Sequence, residues 1–257
     1  MKPVVVDQSP GTILSVTGKD RQRFLQGMLS NDVALADSGF CRAAILSPKG
    51  RVLSVVDVVS HGDSYLVMSE ASTAQKTREV FERHAIMDDV AFASIDLVIH
   101  RVWDDPASVW TAPPVFAACE PSSPEEIEVR RIEAGLPRYG VDVSEDYFPF
   151  EANLECAISY TKGCYVGQEV VARAHARGHA NKRLVGLRLD GAASPGNKIF
   201  AGDKDVGVVT SAASSPDFGA IALGYVHRSS FEPETAVWVG ERRGVVAALP
   251  FRARPTS

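Results

Sequence analysis

No apolar run in this 257-residue sequence reaches the roughly 18 residues needed to cross a bilayer, so no helical membrane span is expected. No secretory signal is expected either. "MKPVVVDQSPGT" has only a short basic and apolar start before Asp7 and Pro10, and the expected location is the cytoplasm. Cysteine is scarce. Cys41, Cys119, Cys156 and Cys164 form no C-x-x-C pair, which argues against a disulfide framework and against a zinc finger. His175 and His179 stand four apart without the glutamate of an H-E-x-x-H site, so no bound metal is expected. Positive charge is in deficit: 27 Lys and Arg face 32 Asp and Glu, a net charge of -5. Such a chain should not cling to nucleic acid or to an anionic membrane. Internal repeats and low-complexity tracts are absent too.

What is present is the make-up of a globular protein, 45% hydrophobic and 23% charged, long enough for more than one domain. "TILSV" reads as a strand, and "GKDRQRFLQGMLS" as a helix with Phe24, Leu25, Met28 and Leu29 on one face. "FCRAAILS" and "VLSVVDVVS" read as strands flanking the turn "SPKGR". "SYLVMS" closes a hairpin through His61-Gly62-Asp63. "STAQKTREVFERHA" reads as a helix with Ser72 and Gln75 spaced as a capping box. "VAFASIDLVIHRVW" reads as strand. Residues 104–124 carry five prolines and read as a connector with one short strand near 115–118. A helix follows, with Ser123 as N-cap, Pro124 at N1 and Gly135 at C′. "EANLECAI" is a short helix candidate. From Lys182 onward six short strands replace the helices, the pattern of a small antiparallel barrel or sandwich.

The stretch with the most chemistry is "TKGCYVGQEVVARAHARG", residues 161–178. If its helix starts near Tyr165–Gln168, Cys164 sits at a helix N-terminus, where unpaired N–H groups and Lys162 favour thiolate. Gly163 and Gly167 let the backbone turn sharply and a ligand approach closely. The arrangement suits a reactive thiol or an anion-binding loop, and equally a small filler in a turn. Residues 162–188 hold six Lys and Arg against one acid, Glu169: a solvated helix face, or a docking surface for an anion.

"KGCYVGQE" with the following "VVARAHARGHANKRLVGL" resembles the signature of the YgfZ family of folate-binding proteins, which is related to the glycine-cleavage T-protein, an aminomethyltransferase. "FLQGMLSNDV", "ILSPKGRVL", "RIEAGLPRYGVDV" and "FPFEANLE" are similar to that family's other landmarks, in the same order. The resemblance implies an α+β, T-protein-like folate-binding fold. Two interleaved α+β units surround a central cavity within residues 1–181, the second unit at about 47–125 being inserted in the first. A C-terminal antiparallel β-barrel occupies residues 182–257. It implies tetrahydrofolate as ligand, in polyglutamylated form because extra carboxylates can reach the basic stretch. It also implies a role in assembling or repairing iron–sulfur clusters in client enzymes, a tRNA-modifying methylthiotransferase among them, alongside the assembly machinery.

Cys164 and Lys162 are the expected working pair. Gly163, Tyr165, Gly167, Gln168, Glu169 and Arg173 of the same block are expected folate contacts. Asn31 and Asp32 either end a helix or line the folate cavity. Arg131 and Glu133 are either a surface pair or a grip on the folate tail. Glu151 is either a helix N-terminal charge or a hydrogen-bond partner of folate. Two departures stand out. The T-protein's acidic pair aligns with Ser54 and Val55, with Asp57 displaced by two or three residues. Its pterin-gripping glutamate has only Glu120 nearby as a substitute. The first departure argues against a working aminomethyltransferase, the second removes an expected pterin contact, and the acidic net charge argues against the other alternative, an RNA-binding module.

Overall fold

Alternating apolar side chains set the main sheet. The computed structural model describes residues 4–7, 12–95, 100–103, 122–176 and 180–251. Strand β1 (Val4–Asp7) lies apart from this sheet and pairs antiparallel with β7 (His100–Trp103). The sheet itself has five strands: β2 (Ile13–Thr17), β3 (Cys41–Leu46), β4 (Val52–His61), β5 (Ser64–Ser69) and β6 (Ala91–Ser94). They are antiparallel neighbours in the order β3-β4-β5-β2-β6. Helices α1 (Arg21–Met28) and α2 (Ala71–His84) cover one face. Phe24, Leu25 and Met28 of α1 and Phe81 of α2 pack there with Val16, Cys41, Ala43, Ile45, Val56, Val58 and Val67. The opposite face meets the segment 143–180 through Ala44, Leu46, Phe150, Leu154, Tyr165 and Val171.

Helix α3 (Pro124–Glu133) starts as its sequence dictates. Ser123 Oγ accepts from Glu126 N–H, and Glu126 reaches back to Ser123 N–H at 2.9 Å, a complete capping box with Pro124 behind it. Gly135 follows the C-cap with φ +68°. Helix α4 (Gln168–Ala176) leads to the six strands β8 (Lys182–Leu189), β9 (Lys198–Ala201), β10 (Lys204–Ser215), β11 (Gly219–His227), β12 (Ala236–Val239) and β13 (Arg242–Ala247). These close into an antiparallel barrel in the order β10-β11-β8-β13-β12-β9, the barrel alternative of the sequence reading. The barrel is tied to the rest by backbone bonds from Leu184 N–H to Glu151 O (2.7 Å) and from Phe251 N–H to Glu133 O (2.8 Å).

Three expectations are corrected. The capping box at Ser72 does not form: the N-cap lies two residues earlier, at Glu70, which makes no side-chain cap bond. The stretch "VAFASIDLVIHRVW" is not one strand, because β6 joins the five-stranded sheet and β7 joins β1. The helix candidate "EANLECAI" is reduced to one 3-10 turn, Glu155–Ala157. The strand expected near 115–118 lies outside the described residues. Among the described residues no helix is long and apolar enough to cross a membrane.

Candidate functional site

Because strand side chains alternate, β4 sends Ser54 and Asp57 to opposite faces. Ser54 faces α2, accepting from Thr77 Oγ1 at 2.9 Å and donating to Thr73 Oγ1 at 3.1 Å. Val55 and Asp57 point the other way. There they line a cavity of about 90 Å³ with Arg42, Met68, Ser69, Glu70, Arg131, Leu136, Pro137 and Leu154. The displaced carboxylate of the sequence reading therefore does reach the cavity.

It does not stand there alone. Arg42 lies directly across from Asp57 in the β3–β4 register. Its Nε and Nη2 donate to the two carboxylate oxygens at 2.9 Å each, and the two side chains are only 10% and 6% exposed. Burial alone would pull the Arg42 pKa down. The charge and hydrogen bonds of Asp57 outweigh it and leave the guanidinium above its ordinary value. Arg42 escaped the sequence reading because counting outward from the turn at 47–51 pairs it with Val56; a bulge at Ile45–Leu46 shifts the register by one residue and brings it to Asp57. Glu70, also in the lining, accepts from Tyr139 N–H at 3.1 Å.

Arg131 lines the same cavity, but its guanidinium is fully engaged. Nε and Nη2 donate to the Glu128 carboxylate at 3.0 and 2.6 Å. Nη1 donates to Leu136 O and Asp142 Oδ2, both at 2.6 Å, and Nη2 also donates to Ser211 Oγ of β10 at 2.7 Å. That uses all five donors of an arginine. Burial pulls the Arg131 pKa down, but Glu128 and Asp142 overcompensate and raise it. A grip on a ligand's tail would have to displace one of these partners. Glu133 is no surface partner of Arg131. It is buried, pairs with Arg130 at 3.1 Å and accepts from Ser215 Oγ at 2.6 Å, binding α3 to the barrel. Glu151 accepts from Phe148 N–H at 2.9 Å and faces Arg51 at 3.7 Å, outside the cavity lining.

Asn31 is a buried connector. Its Nδ2 donates to Arg42 O (2.9 Å) and Cys156 O (3.1 Å), which joins α1's exit to β3 and to the 155–157 turn. Asp32 caps the 3-10 turn Val33–Asp37, accepting from Ala34 N–H at 3.1 Å, and takes a bond from Gln26 at 3.0 Å.

Cys164 is exposed, as is Cys156, whereas Cys41 is buried and Cys119 lies outside the described residues. Burial pushes the Cys41 thiol up to about 12; Asp57 and Asp32 add to the shift and Lys162 opposes it. Cys164 is not at a helix N-terminus. α4 begins only at Gln168, after a turn in which Gln168 N–H donates to Tyr165 O at 3.2 Å. Gly167 makes that turn with φ +83°; a Cβ there would lie 2.5 Å from Ser47 O, so the loop presses on the 47–51 turn. Gly163 has no positive φ, and nothing lies within 4 Å of where its Cβ would be. Lys162 Nζ donates to three carbonyls at the end of α1. Burial pulls its pKa down to about 8 against the opposing charges of Cys41 and Asp32. Tyr165 is buried, and its hydroxyl is pushed up to about 12 chiefly by that burial. Glu169 and Arg173 form an exposed ion pair one turn apart on α4.

The basic stretch is dispersed rather than pooled. Besides Arg173, Lys182 sits over Tyr147, Arg183 over Phe231, and Arg188 over Phe218. Among the described residues no three His, Cys, Asp or Glu side chains converge as metal ligands would.

Residues 182–253 match the glycine cleavage T-protein C-terminal barrel domain. An uncharacterized protein of Haemophilus influenzae is 30% identical over 193 residues, 67% of this chain and 69% of that protein. An aminomethyltransferase of Saccharopolyspora erythraea is 39% identical over 162 residues, 58% of this chain but only 44% of the relative, so the chain spans less than half of that enzyme. A mitochondrial iron-sulfur cluster assembly factor IBA57 homolog of Pyricularia oryzae is 25% identical over 243 residues, 80% of this chain and 62% of the relative. The crystal structure of glycine cleavage system aminomethyltransferase T from Bartonella henselae superposes with a TM-score of 0.79 at 18% identity, covering 97% of this chain and 86% of that one. The fold is therefore that of the T-protein. With the matching barrel and the extended similarity to the Haemophilus protein, the chain belongs to the glycine-cleavage T-protein-like family.

Proposed function

We propose that this protein is a folate-binding accessory factor for the assembly or repair of iron–sulfur clusters, of the YgfZ kind, and not an aminomethyltransferase. The observation that carries the reading is the locked carboxylate. Asp57 is the acidic side chain that β4 turns into the cavity, and both of its oxygens are held by Arg42. A carboxylate neutralised in that way is a poor base for transfer chemistry. The similarity to cluster assembly factors supports the other half of the reading.

The lining chemistry fits a folate. The Arg42–Asp57 pair and Glu70 form a polar side of the lining, and Val55, Met68, Leu136 and Leu154 supply apolar walls for a flat ring. The cavity volume of about 90 Å³ is small beside the roughly 300–1,000 Å³ of ligand pockets, so a folate head enters only if the cavity widens, and its tail stays outside. Polyglutamylated tetrahydrofolate is the preferred form, its extra carboxylates reaching scattered basic side chains such as Arg173. The clients are cluster enzymes, a tRNA-modifying methylthiotransferase among them. The compartment is the cytoplasm, and no stable contact with RNA is made because the basic side chains are dispersed.

Titration calorimetry with tetrahydrofolate is expected to give saturable binding that Arg42→Ala weakens. No methylene transfer from a methylamine-loaded carrier is expected. Absence of binding at millimolar ligand overturns the folate reading, and measurable transfer overturns the accessory reading in favour of the aminomethyltransferase. In a deletion strain, wild type but not Cys164→Ala should restore cluster-dependent tRNA thiolation.

A further inference from the structure

The carbonyls of a helix's last turn need partners from elsewhere, and α1 has no basic residue in its own last turn. Segment 159–166 supplies those partners from more than a hundred residues away. Ser159 N–H donates to Ser30 O at 2.9 Å and Val166 N–H to Gly27 O at 3.2 Å. Between them, Lys162 Nζ donates to Gln26 O at 2.6 Å, Leu29 O at 2.7 Å and Asn31 O at 3.0 Å. Three converging carbonyls use all three donors of an ammonium, and they lie at the negative end of the helix dipole. Cys164 is exposed on the loop between Lys162 and Val166.

We propose that Lys162 is a positioning residue: it clamps the Cys164 loop onto the end of α1 through three carbonyls and does not serve as a charge that activates the thiol. The inference rests on the reading of Cys164 as the working thiol. It separates two properties of the lysine that substitution can tell apart. Arginine keeps the charge, but its planar fork cannot aim three N–H groups at carbonyls converging on one point. Methionine keeps most of the stem but loses the charge, the donors and the ammonium that lies 5.1 Å from the centre of the Tyr165 ring. A clamp makes Lys162→Arg and Lys162→Met alike; a charge effect makes them different.

The test is hydrogen exchange of the full-length protein, read on peptides covering 159–167, with barrel strand β11 as the internal control. Both variants should speed exchange of that segment by on the order of tenfold, the effect of losing charge-assisted hydrogen bonds from a local closure, and leave β11 unchanged. The profile of Cys164 alkylation against pH should keep its midpoint in both. Wild-type exchange in Lys162→Arg, or an alkylation midpoint that moves upward in Lys162→Met alone, overturns the clamp. Faster exchange in both variants, together with full client-enzyme activity in Cys164→Ala, upholds the clamp and overturns only the functional reading of Cys164.

Discussion

Replacing Arg42 with methionine should destabilise the protein far more than replacing Arg42 and Asp57 together. The single change removes both 2.9 Å bonds from a carboxylate that is 6% exposed, leaving its charge in the cavity wall without its guanidinium. Breaking a buried ion pair from one side costs about 3–5 kcal/mol. For a chain of this size each kcal/mol moves the melting temperature by about 2–4 °C, so the expected drop is roughly 6–20 °C. The double variant Arg42→Met/Asp57→Leu removes both charges and fills the space with apolar groups of similar bulk, which is often neutral or stabilising. It should melt close to wild type. The assay is thermal unfolding followed by circular dichroism in one buffer at neutral pH, with the far-ultraviolet spectrum confirming the fold at low temperature. If Arg42→Met melts within about 2 °C of wild type, Asp57 is solvated and not locked, and the main argument against a catalytic carboxylate fails.

Three further outcomes follow from the same geometry. Cys41 keeps its proton to about 12 when folded but only to 9.0 when unfolded, so between those values the native state binds more protons and stability falls as pH rises; Cys41→Val should flatten that alkaline decline in melting temperature. Gly167→Ala should cost about 2 kcal/mol or more, from its positive φ and the contact with Ser47 O, whereas Gly163→Ala should be near neutral; equal denaturant midpoints for the two would contradict the loop geometry. Ser123→Ala should cost about 1 kcal/mol in urea unfolding by removing the capping box, and no loss would mean that α3 is held by its buried arginines alone.

The barrel was legible because its strands are rich in β-branched residues and set off by Gly, Pro, Asp or Ser, so local pattern and final structure agree, although β10 runs on to 12 residues. α3 was legible for the same reason, since Ser123, Pro124 and Glu126 satisfy one another within four residues. What stayed hidden depends on partners far away in sequence. Lys162 next to Cys164 suggested an activated thiol, yet its three acceptors lie at residues 26–31. Arg131 stayed open between a surface pair and a ligand grip because Asp142 and Ser211, which bury it, come from a loop and the barrel. The segment from Val90 to Trp103 read as one strand because β-propensity reports fitness for a sheet without saying which sheet. The offset of α4 from Cys164 rests on the backbone of Gly167, which spacing alone does not reveal.

The pairing of β1 with β7 has a consequence for how the chain is made. Val4 finds its partner at Trp103, so during synthesis the first strand emerges about a hundred residues before the segment it binds. At a translation rate of about 5–20 residues per second, that is a wait of roughly 5–20 s. In that interval α1, β2–β6 and α2 can collapse into their own sheet, while Val4, Val5 and Val6 remain an unpaired edge open to wrong partners. Slow translation before residue 103 would lengthen that exposure, and a chaperone that holds nascent β1 would protect it until β7 is made.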